Sequence, residues 1–223
     1  ASDYLHFPPS LRSIGAMDRR QEILDAAAQV FAQHGFRGST TRRIADAAGV
    51  NEVTLFRYFG SKDVLLRSAM EHLALSVGLT ALPSEPEDPS AELTAWSESF
   101  IQHLRLRSSI IRKTMSEMEE RPDMCSYAGH VPRQASSELC TYLAALQKAG
   151  FTTREFEAKT AASMLMGAIF ADAMGREMMP DVYPQPENKA AQKYSRLLLQ
   201  AIGADSDSIS KTKQTKRPKQ LSS

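Results

Sequence analysis

The chain has 223 residues, 42% of them hydrophobic and 24% charged, the makeup of an ordinary soluble globule with enough apolar surface for one large domain or two small ones. Its formal net charge is only +1, so a nucleic-acid footprint has to be a local arrangement and does not show in the total. The two cysteines, Cys125 and Cys140, lack the paired spacing of a zinc site and are too few for a disulfide framework in a chain this long, so reduced thiols and no metal are expected.

In chain order, residues 1–17 hold Pro8 and Pro9 and no sustained apolar run, so a flexible arm is expected and no secretory signal. Strand signals are nearly absent, which predicts an all-α fold. The first helix is expected to open at Asp18, with Gln21 completing a capping box, to place Ile23, Ala27, Val30, Phe31 and His34 on one face, and to end at Gly35. A short helix follows Ser39, Thr40 and Thr41, turns Ile44, Ala45 and Ala48 inward and stops at Gly49. Asn51 caps a third helix over 52–59, with Leu55 and Phe59 on its buried side. After the Gly60-Ser61 break, Ser61 caps a helix running from Lys62 toward Val77, its first-turn Asp63 favoured by the helix dipole.

Beyond it, residues 82–90 carry Pro83, Pro86 and Pro89 and read as an exposed connection. Helices are predicted over 91–107, with Leu93, Trp96, Phe100 and Leu104 at helical spacing, and over 110–119, followed by an irregular stretch, 122–132. Three more apolar-periodic stretches cover 135–149, 154–178 and 187–202, the last two separated by the Pro-rich run 180–186. The most apolar segment, 164–174, is interrupted by Asp172 and falls well short of the roughly 20 residues a membrane span requires, so a cytoplasmic protein without a membrane partner is expected. From 203 onward the apolar pattern is lost and a basic tail, expected to be disordered, closes the chain.

The segment 40–62 is the informative one: a short helix, a Gly-centred turn, and a second short helix with Leu and Phe inside and polar or small residues outside. That is the layout of a helix-turn-helix, whose second helix lies in the major groove. Geometry selects Glu52, Val53, Thr54 and Arg57 for base contact. The run Thr41-Arg42-Arg43-Ile44-Ala45-Asp46-Ala47-Ala48-Gly49-Val50-Asn51-Glu52-Val53-Thr54-Leu55-Phe56-Arg57-Tyr58-Phe59-Gly60-Ser61-Lys62-Asp63, with Ile23-Leu24-Asp25-Ala26-Ala27 and the stretch from Phe31 to Phe36 before it, resembles the DNA-binding motif of the TetR family of bacterial regulators. The resemblance covers roughly residues 18–66. It implies a homodimer on a palindromic operator, most often a repressor, released when a small molecule enters the helical body. It also implies phosphate contacts from Thr41 and Lys62 and base reading by Arg42 and the outer residues of the third helix, with Arg43 and Tyr58 beside them. Either Arg42 or Arg57 suits a bidentate pair with guanine. One departure stands out: the family usually has tyrosine where this chain has Phe56, so the phosphate contact of that hydroxyl is missing or passes to Tyr58 and Lys62.

On this reading residues 18–63 bind DNA, 64–203 bind ligand and dimerise, and 204–223 form the tail. Trp96, Phe100, His103, Met118, Tyr142, Met166 and Phe170 are candidates to line an effector pocket, because methionine and aromatic side chains adapt to irregular apolar cavities. Ordinary core is the competing account of the same residues, as it is for Met115 and Met164. The small residues over 161–175, with Leu197, Leu198, Leu199 and Ile202 on the final helix, suit a four-helix interface between two copies through the last two long helices. Lys211, Lys213, Lys216, Arg217 and Lys219 either add attraction to DNA phosphates or merely solubilise the end. No phosphate-cradling loop, nucleophile elbow or metal-ligand spacing is present, so neither an enzyme nor a cofactor is expected. A helical protein-interaction module is the remaining alternative.

Overall fold

The computed structural model describes residues 19–75, 78–120, 122 and 129–204. The arm 1–17, the Asp18 cap, Cys125, the end of the fourth helix at 76–77 and the basic tail lie outside the described residues. Among the described residues the regular structure is entirely helical: α1 Arg19–Gly38, α2 Thr41–Ala48, α3 Glu52–Phe59, α4 Lys62–Leu75, α5 Pro89–Leu106, α6 Ser108–Glu117, α7 His130–Ala149, α8 Ala158–Gly175 and α9 Ala190–Ala201, with short 3-10 turns at Pro180–Val182 and Glu187–Lys189. They form two compact units, one of residues 19–75 together with 113–120 and 122, the other of 78–112 together with 129–204.

In the first unit α1 packs on α2 and α4, and α3 packs on α2 and α4. Ile23, Leu24, Ala27 and Phe31 from α1 meet Ile44 and Ala45 from α2, Leu55 and Phe59 from α3, and Leu65, Leu66 and Ala69 from α4, all buried. Burying side chains of this size stabilises by about 1.5–3 kcal/mol each before conformational entropy is charged against them. That is how helices as short as α2 and α3 hold their shape, since eight residues alone do not form a stable helix in water.

Gly35 was expected to end α1. It does break the helix, at φ 65° and ψ −172°, but one further turn follows to Gly38. Few residues besides glycine enter this part of the backbone map. The break turns the Phe36 N–H toward Glu117, both of whose carboxylate oxygens lie 2.9 Å away. A Cβ at Gly35 would sit 1.9 Å from Glu117 Oε1 and 2.4 Å from Lys113 Cε, so alanine there strains the backbone and displaces the carboxylate. We expect Gly35→Ala to lower stability by about 2 kcal/mol in urea unfolding; a loss within error of zero would show that the Glu117 contact contributes nothing.

The second unit is built from α5, α7, α8 and α9, with α8 touching each of the other three. Its core joins Leu93, Trp96 and Phe100, Leu139, Tyr142, Leu143 and Leu146, Leu165 and Ile169, and Leu198, Leu199 and Ile202. Several helix ends differ from the sequence reading, each for a local reason. α5 begins at Pro89, inside the predicted connection, because Asp88 caps it by accepting from the Ser90 and Ala91 N–H groups, and proline suits a first helical position. α6 begins and ends two residues before its predicted limits of 110 and 119. α7 begins at His130, so 130–132 are helical, and Pro132 is tolerated because it falls in the first turn. α8 is shorter at both ends than 154–178. Thr153 N–H donates to Gly203 O at 3.2 Å and Arg154 Nη1 to Ala201 O at 3.2 Å, tying this stretch to the end of α9, while the Met178 and Met179 N–H groups both turn back to Gly175 O.

Candidate nucleic-acid interface

Every boundary of the helix-turn-helix is set by a side chain or a glycine. Thr40 Oγ1 accepts from the Arg43 N–H at 3.2 Å and caps α2. Gly49 closes α2 at φ 64°, ψ 34°, with Gly49 N–H and Val50 N–H reaching Asp46 O and Ala45 O. Asn51 Oδ1 accepts from Thr54 N–H at 2.7 Å and starts α3; Gly60 ends it, and Ser61 Oγ accepts from Val64 N–H to start α4.

With Leu55 and Phe59 turned inward, α3 presents Val53, Phe56 and Arg57 to solvent, at i, i+3 and i+4. Val53 is 76% and Phe56 46% exposed, a large apolar surface for one face of a short helix. Phe56, which sequence reasoning noted only as a missing hydroxyl, is thus part of the outer face. Arg57 is exposed with its guanidinium 5.6 Å from the Tyr58 ring, and Tyr58 is exposed in turn. On α2, Arg42 is exposed, while the Arg43 guanidinium donates to the Gly38 carbonyl. Lys62 lies over the Phe36 ring, 4.2 Å from its centroid. Thr54 is half-buried, its N–H held by the Asn51 cap. Thr41 and Glu52 are half-buried and bonded to each other, the threonine hydroxyl donating to Glu52 Oε2 at 2.5 Å. All nine residues singled out for DNA contact therefore lie on α2, α3 and the first residue of α4.

Residues 23–69 match the family described as bacterial regulatory proteins, tetR family. Along most of the chain the protein is similar to YvkB of Bacillus subtilis (strain 168), an uncharacterized HTH-type transcriptional regulator, with 27% identity over 186 residues, 83% of this chain and 97% of YvkB. Residues 23–69 are thus an N-terminal domain of the TetR type. A shorter match, 43% identical over 70 residues, links it to the HTH-type transcriptional repressor KstR2 of Rhodococcus jostii (strain RHA1), covering 30% of this chain and 34% of KstR2. The crystal structure of a TetR transcriptional regulator from Agrobacterium tumefaciens shares the fold, with a TM-score of 0.68 at 19% identity over 87% of this chain and 98% of that one. The protein is a DNA-binding transcriptional regulator.

In the second unit, five of the seven residues expected to line an effector pocket join one cluster: Trp96, Phe100 and Tyr142 are buried in it, with Met166 and Phe170 packed against it. The Trp96 and Phe100 rings stack at 5.1 Å between centroids. Tyr142 donates to Glu92 Oε2 at 2.6 Å, and burial, reinforced by that carboxylate, pushes its phenol well above the ordinary range. His103 is buried two turns along α5 from Trp96. Met118 follows α6 and belongs to the first unit. Met115 and Met164, read as apolar lining or core, are 51% and 67% exposed. Among the described residues no group of three or more His, Cys, Asp or Glu side chains is placed to hold a metal ion, and no helix is long and apolar enough to cross a membrane.

Proposed function

We propose that the protein is a ligand-responsive repressor that grips a palindromic operator as a homodimer and is released by a small, largely apolar effector. The observation that carries this reading is the α3 surface: a helix braced from beneath by Leu55 and Phe59, capped at both ends, with Val53, Phe56 and Arg57 facing outward. In the proposed complex Arg42, Glu52, Val53, Thr54 and Arg57 meet base edges, and Thr41, Arg43, Tyr58 and Lys62 meet phosphates. Repression is favoured because KstR2 is named a repressor.

The effector is proposed to enter the second unit near Trp96, Phe100, His103, Tyr142, Met166 and Phe170. Trp96 supports a ligand with a hydrogen-bond acceptor, since its indole N–H is buried with no partner among the described residues. Release follows from a two-state equilibrium in which effector binding shifts α4, the helix that begins at Lys62, and so changes the separation of the two α3 helices. The effector acts only through its differential affinity for the two states.

The test is selection of bound duplexes from a random library, run beside an Arg42→Ala, Arg57→Ala variant at the same salt concentration. Enrichment of a palindrome is expected. On that site each arginine that pairs with guanine accounts for about 1–3 kcal/mol, so the double variant binds at least tenfold more weakly. A wild-type protein that enriches nothing would sink this reading and bring the protein-interaction alternative forward.

A further inference from the structure

Thr41 and Glu52 each occupy the first residue of a helix of the motif, and the 2.5 Å hydrogen bond from the Thr41 hydroxyl to Glu52 Oε2 joins them across the turn. A threonine has one O–H to give. While it donates to Glu52 it has no proton for a phosphate oxygen, which can only accept. The bond also holds a carboxylate, the one acid in the first turn of α3, beside the group expected to meet the DNA backbone. Thr41 therefore engages a phosphate only by giving up Glu52, and Glu52, once released, needs another donor.

We propose that this pair is a clasp that opens on the operator, and that Glu52 then selects cytosine at one position of each half-site. The inference rests on the DNA-binding reading above. In the exchange the Thr41 O–H leaves Glu52 Oε2 and donates to a phosphate oxygen, while Glu52 accepts from the cytosine N4 amine; no proton changes owner. Cytosine is the base that offers this edge a donor without a neighbouring acceptor. Adenine sets its N7 beside its N6 amine, and guanine and thymine present acceptors to the groove. On any of these Glu52 is left facing lone pairs with a phosphate close by, so the cost falls on wrong sequences and on sequence-independent binding alike. Of the two flanking residues, Val53 is apolar and Asn51 Oδ1 is held by Thr54 N–H.

The experiment measures affinities of the wild type, Glu52→Gln and Thr41→Val for the selected operator, for duplexes changed at each half-site position, and for a scrambled duplex, all at one salt concentration, with thermal melting to confirm folding. Glu52→Gln is expected to lose about tenfold of the preference for cytosine at one position and to bind the scrambled duplex about fivefold more tightly. Thr41→Val is expected to weaken binding to every duplex by a similar factor while keeping the preference. If Glu52→Gln retains the wild-type preference at every position, or if both variants lose affinity in parallel on all duplexes as a purely structural bond would make them, the clasp is overturned and the regulator reading stands. A wild-type protein that selects no palindrome removes both.

Discussion

Replacing Asp172 by alanine is expected to lower the unfolding free energy by about 3–5 kcal/mol, the range seen when one partner of a buried ion pair is removed. Asp172 lies in α8 and is fully buried. Its carboxylate accepts from Arg176 Nε at 2.7 Å and again from Arg176 Nη2, from Arg105 Nη2 at 3.0 Å, and from the Tyr194 hydroxyl at 3.0 Å. One side chain thereby ties α5, α8 and α9 together. Arg176 Nη2 also reaches Pro184 O at 3.1 Å, and Arg105 Nη1 pairs with Glu187 at 2.5 Å, so the segment between α8 and α9 hangs on the same network. Without Asp172, Arg176 remains buried and cationic, with its Nη1 already lacking a partner among the described residues. Charge in that setting cannot be left uncompensated cheaply.

The same network sets a pH dependence. Burial alone would raise the Asp172 carboxyl, but donation from Arg176, Tyr194 and Arg105 outweighs it and holds the group below its ordinary value. A carboxyl depressed on folding contributes stability that is present above its unfolded value, about 3.9, and is lost as pH falls through the folded one. Urea midpoints at pH 7 should therefore separate wild type from Asp172→Ala widely, and the gap should narrow below about pH 4. A difference under about 1 kcal/mol at pH 7 would mean that solvent or the neighbouring carboxylates compensate the arginines.

What the sequence disclosed and what it withheld divide by range. Gly49, Asn51, Gly60 and Ser61 act on atoms within a few residues, so the limits of α2 and α3 were legible from local chemistry alone. Helix ends set by distant partners were not. The start of α8 depends on Thr153 meeting Gly203, fifty positions away, and no periodicity reports that bond. Asp172 reads in the sequence as an interruption in an apolar run, and its meaning appears only when Arg105 arrives from α5. Methionine and aromatic residues were sorted only in part by type: Trp96, Phe100 and Tyr142 do cluster, whereas Met115 and Met164 face outward because helical phase, and not hydrophobicity, decides burial. Thr41 and Glu52 were each placed at the interface from their positions, but their bond was invisible, since both residue types are read equally well as solvent-facing.

The outward phase of Met164 leads to the other large expected effect. Thr160, Met164, Gly167 and Ala171 are exposed along one stripe of α8, at spacings of four, three and four, and Leu197 is 66% exposed on α9. Small residues around one large apolar side chain permit close helix approach, as an interface between two copies of these helices requires. Dimerisation matters for the proposed function because two α3 helices must be held roughly 34–36 Å apart to enter successive major grooves, which a single copy cannot enforce. A Met164→Asp, Leu197→Glu variant would bury two uncompensated charges in that interface. It should sediment as a monomer and, with only one half-site engaged at a time, bind the operator about 10²–10⁴-fold more weakly. Leu106→Glu is the control: that residue is 60% exposed on α5, off the stripe, and its replacement should leave mass and affinity unchanged. Because Met164 and Leu197 are on the surface of the single chain, the double variant should keep the wild-type melting behaviour of each copy at high dilution. A dimer that survives both charges would place the two-fold contact elsewhere, and a monomer that still binds the full operator at wild-type affinity would separate DNA recognition from symmetry altogether.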